Sequence, residues 1–231
     1  MLQKLKIDLE KAISTRESGN LEKSRKLFEI LLHKTEPQLK LENSKKNNYF
    51  YATLMGEYVI QYRLEASNLY SEALSLGRDL LKYDKENNIG NPLSIRSIAN
   101  VLLNMGAFEM AEDYLRQMIS FYPDNSAKRG DTKAHLAYTL FRIGRIEEAS
   151  DLVEEAMIDI RRNDKEEKFV DVWLSHSLMV KSLILNSKNK YTEALKYAKK
   201  AVSFAKRSKS VFRIKQSEEL LSFISSKIKA L

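Results

Sequence analysis

The side chains that could do chemistry in this sequence are few and far apart. Three histidines, His33, His135 and His176, are spread along the chain, and there is no cysteine. Without thiols there are no disulfides, thiol nucleophiles or thiolate metal sites. No Gly-rich phosphate loop, His-Glu-x-x-His helix or calcium loop is present. No local signature nominates a Ser–His–Asp set. The acidic pairs Glu147-Glu148 and Glu154-Glu155 have the spacing of a solvated helix face rather than of paired catalytic carboxylates. The expectation is a chain that is not an enzyme and needs no metal or cofactor. What remains is recognition chemistry: Arg96 and Asn100 stand four residues apart, one helical turn, and can act on a single ligand group.

The elements that position such groups follow from composition and period. Seven glycines and three prolines in 231 residues are too few for a strand-rich fold and point to long helices joined by short turns. No apolar run approaches the roughly 20 residues that cross a bilayer. The opening MLQKLKIDLEKAIS interleaves charges with apolar residues, unlike a signal-peptide core. A cytoplasmic location without membrane attachment is the expectation.

One unit recurs. Gly106 is followed by Phe108, Ala111, Leu115 and Met118, and Gly144 by Ile146, Ala149, Val153 and Ala156. Gly19 leads to Leu21, Ser24, Phe28 and Leu31, while Asn68 and Asn189 fill the glycine slot before Tyr70, Ala73 and Tyr191, Ala194. Gly or Asn closes a helix in the left-handed conformation at least cost. The apolar residue two places on opens the next helix, and the small residue three places later lets the two backbones close up. Each unit is therefore a helical hairpin that must stack on its neighbours to bury its apolar faces.

This pattern resembles the tetratricopeptide repeat (TPR). Residues 92–125, which end in Pro123-Asp124-Asn125, fit its 34-residue unit best, and 130–161 come next. Weaker copies are expected at about 5–38, 54–87 and 175–208. The resemblance implies an all-α, right-handed superhelix of about five antiparallel helix pairs. Residues 209–230 would form a C-terminal capping helix, with Phe212, Leu220, Phe223 and Ile224 toward the array and Lys215, Glu219 and Lys227 toward water. The whole of 1–231 is expected as one domain, with a hinge or mobile loop at 35–48 around Pro37. Spacings longer than 34 resemble those of peptide-sensing repeat proteins of Gram-positive bacteria.

In this family the first helix of each pair lines a concave groove. Carried over, that places Met55, Tyr58, Tyr62 and Glu65 in the groove from the second unit, and Leu93, Arg96, Asn100 and Asn104 from the third. Asp131, His135, Tyr138 and Phe141 follow from the fourth, and His176, Met179 and Leu183 from the fifth. The expected peptide- or partner-binding residues are Tyr58, Tyr62, Arg96, Asn100, His135, Tyr138, Phe141 and His176, a mixture suited to a peptide or protein segment. Tyr58, Tyr62 and Met179 also read as contacts between neighbouring helices. A carboxylate clamp of the chaperone-adaptor kind is not expected, because His135, His176 and Val180 stand where that clamp has Asn and basic residues. Trp173, in a stretch apolar on nearly every face, reads as core.

The net charge of +8 is concentrated at the end of the chain, where twelve Lys and Arg face three acids from Lys188 to Leu231. The alternative function is nucleic-acid association through Lys196, Lys199, Lys200, Lys206, Arg207 and Arg213, which would be steeply salt-dependent. A homodimer formed through an array end or the terminal helix is a third reading.

Overall fold

A computed structural model describes residues 2–41, 44–162 and 169–229. All its regular structure among these residues is helical: α1 (Leu2–Glu17), α2 (Leu21–Leu41), α3 (Lys45–Glu86), α4 (Pro92–Met105), α5 (Phe108–Ile119), α6 (Ala127–Arg142), α7 (Ile146–Arg162), α8 (Val170–Ser187), α9 (Tyr191–Ser208) and α10 (Val211–Lys229). The chain divides into two compact units, Met1–Ala73 and Leu74–Leu231, with the boundary inside α3.

Four of the five expected hairpins form, α1/α2, α4/α5, α6/α7 and α8/α9. Their turns carry the anticipated left-handed residues: Gly19, Gly106 and Gly144 at φ between 78° and 87°, and Asn189 at 57°. At Gly106 that conformation aims its N–H back at the carbonyls of Leu102 and Leu103, which α4 leaves without intrahelical partners. Asn91 caps the other end of α4 by accepting from the Leu93 N–H, with Pro92 at the first helical position. The small-residue slot after each turn is sealed: Ser24, Ala111, Ala149 and Ala194 are all 0% exposed. Where that slot holds serine, the Ser24 hydroxyl donates to the Ala12 carbonyl of the facing helix at 2.8 Å.

The fifth hairpin is a correction. Asn68 makes no turn, and α3 runs unbroken for 42 residues. Asn costs well under 1 kcal/mol inside a helix, and no proline lies between residues 45 and 86 to stop it. The hinge expected at 35–48 is also shorter. α2 continues through Pro37 to Leu41 and α3 starts at Lys45, leaving residues 42 and 43 outside the described set. Among the described residues there are therefore four helix pairs, one long helix and α10.

In the first unit Leu5, Leu9, Ala12, Phe28, Leu31 and Leu54 form the core, and Phe28 stacks on Tyr58 at 5.7 Å. Arg16 is 7% exposed and pairs with the Glu57 carboxylate of α3 at 2.9 Å. In the second unit Ile98 and Leu102 of α4 pack on Leu74 and Leu81 of α3. Asp84 accepts from the Asn91 N–H and the Ser94 hydroxyl. A central core of Leu136, Leu140, Val153, Val180 and Ile184 joins α6, α7 and α8. Trp173 is buried beside Ala127, Ile160 and Leu174. Within α10, Leu220 and Ile224 face the array as expected, whereas Phe212 and Phe223 are exposed.

Candidate peptide groove

The second unit carries a cavity of about 470 Å³ where the first helices of its three hairpins, α4, α6 and α8, meet α10. Helical spacing sets the lining. Arg96, Asn100 and Asn104 come from one face of α4, and His135 and Tyr138 from α6. His176, Met179 and Leu183 of α8 complete the wall at steps of three and four.

The polar side of this cavity is a chain of linked groups. Arg96 donates to Asp131 at 2.6 Å, and Asp131 is almost fully buried while the guanidinium stays partly exposed. His135 Nε2 lies 3.7 Å from the other Asp131 oxygen, too far for a hydrogen bond. The rings of His135 and His176 are 4.2 Å apart. Burial is the main cause that holds His176 well below the usual imidazole range, reinforced by His135, Arg213 and Arg96. His135 is lowered too, by burial first and against the pull of Asp131. Both rings are therefore neutral near pH 7, and His176 Nδ1 is buried without a hydrogen-bond partner.

The fourth wall contributes what the sequence reading missed. Phe212, Arg213 and Gln216 of α10 line the cavity. Arg213 donates to Gln216 at 2.9 Å, and its Nε is buried without a partner. Among the described residues no carboxylate forms an ion pair with Arg213, and burial lowers its pKa from the usual guanidinium value. Arg96 is neutralised by Asp131, so Arg213 leaves the cavity with one uncompensated positive charge. Asp131, His135 and His176 bring three ligand-type atoms within 4.8 Å of one another. With Asp131 already paired to Arg96, the remaining charge of Arg213 favours an anion over a cation at this spot.

The remaining expected site residues lie elsewhere. Tyr138 lines the cavity and accepts from Arg142 at 2.7 Å, but Phe141 turns into the core cluster of α6 and α7. Tyr58 and Tyr62 belong to the first unit, where their hydroxyls meet at 2.9 Å and Tyr58 donates to Glu29. Burial and those bonds push the Tyr58 phenol up. The first unit has its own apolar cavity of about 570 Å³, lined by Leu9, Ile13, Tyr49 and Phe50, and neither tyrosine reaches it. Of the basic C-terminal residues, Lys206 pairs with Glu218 at 3.0 Å, Arg207 pairs with Asp171, and Arg213 lines the cavity. Among the described residues no helix is long and apolar enough to cross a membrane.

Comparison with known proteins bears on the fold. The family model described as tetratricopeptide repeat matches residues 175–207, which is the α8/α9 hairpin. No curated protein matches the sequence. Among solved structures, BtubC (BKLC) from P. vanneervenii aligns over 68% of this chain and 66% of its own, just under two thirds of its length, at 16% identity and a TM-score of 0.51. YrrB, described as a TPR protein with an unusual peptide-binding site, aligns over 92% and 90% at 13% identity and a TM-score of 0.43. The nearly identical TPR-like repeats of a Podosopora anserina protein align over 90% and 97% at 16% identity and a TM-score of 0.45. The chain thus carries a tetratricopeptide repeat within a TPR-like α-solenoid.

Proposed function

We propose that this chain is a non-enzymatic interaction scaffold whose second unit holds a peptide or protein segment in the cavity between α4, α6, α8 and α10. The observation that carries this reading is Arg213, a half-buried guanidinium that forms no ion pair with a carboxylate among the described residues and lines a cavity of mixed polar and apolar walls. Leaving such a charge desolvated is costly unless a ligand completes it. A carboxylate fits the guanidinium fork, and the amides of Asn100 and Asn104 suit a peptide backbone. Met179 and Leu183 supply the apolar contact. The anion site differs from the chaperone-adaptor clamp, because the donating cation comes from α10.

The test is fluorescence anisotropy with a pool of short labelled peptides carrying free or amidated C-termini and acidic or neutral side chains. Binding should favour carboxylate-bearing peptides. Arg213→Gln should weaken it roughly 10- to 100-fold, the value of a hydrogen bond to a charged group. Equal binding by acidic and neutral amidated peptides, or no change in the variant, would remove the reading.

A further inference from the structure

Two side chains that line the cavity, His135 and His176, stand ring to ring, 4.2 Å apart. His176 is 8% exposed, and its buried Nδ1 meets no hydrogen-bond partner. A nitrogen in that position is incomplete in either form, as an N–H without an acceptor or as a lone pair without a donor. The charges that act on the two rings come from three helices: Arg96 from α4, Asp131 from α6 and Arg213 from α10. Tyr122 stands beside Arg96 and Asp131, and the Tyr138 ring lies 6.4 Å from that of His176. α7 and α9 meet α8 through the apolar cluster of Met157, Leu178 and Ala201, with Tyr197 at its edge.

Taking the cavity as the anion-binding groove proposed above, we propose that the His135–His176 pair takes up one proton when an anionic ligand group enters, so that capture strengthens as the pH falls from 8 to 6. The empty cavity opposes a charged imidazole in two ways. Burial strips the ring of water, and the cationic Arg213 repels it. A carboxylate drawn to Arg213 cancels the repulsion. By accepting from His176 Nδ1 it also completes the nitrogen that has no partner. On the other ring, Asp131 favours the charge with an oxygen 3.7 Å from His135 Nε2. Rings this close cannot both be charged cheaply, so the uptake is one proton and belongs to the pair. Binding that takes up a proton gains affinity as pH falls, by at most roughly 10-fold per pH unit. If the occupied pair titrates around neutrality, the gain from pH 8 to 6 is roughly 10-fold. A neutral ligand leaves Arg213 uncancelled and draws no proton.

The probe is a short peptide with a free C-terminal carboxylate, titrated calorimetrically into the full chain. Bis-Tris and Tris at pH 7 are cationic buffers of different ionisation heat, and the observed heat should differ between them because the buffer supplies the proton. Kd should fall roughly 10-fold from pH 8 to 6, and the amidated, uncharged peptide should show no such slope. The slope should vanish in His135→Gln/His176→Gln, with the Trp173 urea midpoint at pH 8 reporting whether that variant folds. If it does not, the wild-type heats decide alone. The two ways of failing are distinct. Carboxylate peptides that bind no better than amidated ones, or that ignore Arg213→Gln, would remove the groove and this coupling with it. Carboxylate binding that needs Arg213 but gives equal heats in both buffers and one Kd at pH 8 and 6 would overturn the coupling alone. So would a slope that survives in the double variant.

Discussion

Gly130 offers a sharp test of how closely the α6/α7 hairpin is packed. A Cβ added there would stand 2.8 Å from the Ala156 carbonyl oxygen, 2.8 Å from Ile160 Cγ1 and 3.0 Å from Asp159 Cβ, all on α7. The oxygen is backbone, and Ile160 is 0% exposed, so neither can swing away cheaply. Gly→Ala in a helix interior normally stabilises by about 1 kcal/mol. Overpacking costs about 1–3 kcal/mol, and contact with a fixed carbonyl belongs at the upper end. The clash therefore wins, with a net loss of about 2 kcal/mol. At a urea slope of about 1–3 kcal/mol/M, that lowers the midpoint by about 1 M. Trp173, the only tryptophan, packs beside Ile160, so its fluorescence follows unfolding of this unit specifically. Gly56→Ala is the control: it lies inside α3 with nothing within 4 Å of the added methyl, and it should not lower the Trp173 midpoint. If Gly130→Ala left that midpoint unchanged or raised it, the close α6/α7 contact would be wrong.

Two further outcomes follow from particular residues. The lowered pKa values of His135 and His176 mean that the unfolded chain takes up protons near pH 6.5 while the folded rings stay neutral. Their contribution to stability is thus complete above about pH 7 and is lost as pH falls below about 6.5. The Trp173 urea midpoint should drop between pH 7.5 and 5.5, less so in the His135→Gln/His176→Gln variant, and a flat wild-type profile would contradict this. Lys209 closes α9 in the left-handed conformation at φ 57°, where a Cβ is strained. Lys209→Gly should stabilise by about 1 kcal/mol and raise the melting temperature by about 2–4 °C. A thermal melt with no upward shift would argue against that strain.

The hairpin turns were legible because their chemistry is local. Gly106 and Gly144 reach a conformation other residues avoid, and the small residue five places on reports the close approach that follows. Asn68 shares the second half of that pattern, but Asn continues a helix almost as readily as it ends one. Which of the two happens depends on packing that no local window contains. The same division runs through the cavity. The family resemblance puts Arg96, Asn100, His135, Tyr138 and His176 on the faces of first helices, and these five line the cavity, whereas Phe141 packs against the core. Arg213 was read as part of a basic surface, since nothing near it in sequence says that α10 folds back over the groove. The Arg96–Asp131 pair, 35 residues apart, is likewise a product of stacking.

The sealed slot after each turn bears on how much of a unit must be preserved at all. A hairpin of this kind is specified by a turn residue, a small side chain and an apolar stripe, and the stripe accepts many spellings. Even the small residue has a substitute, as Ser24 does by donating its hydroxyl to Ala12. Gly19, Gly106 and Gly144 turn the backbone in the same way as Asn189. In an array of this sort the information that defines the shape is sparse, and the residues left over are the ones available to specialise.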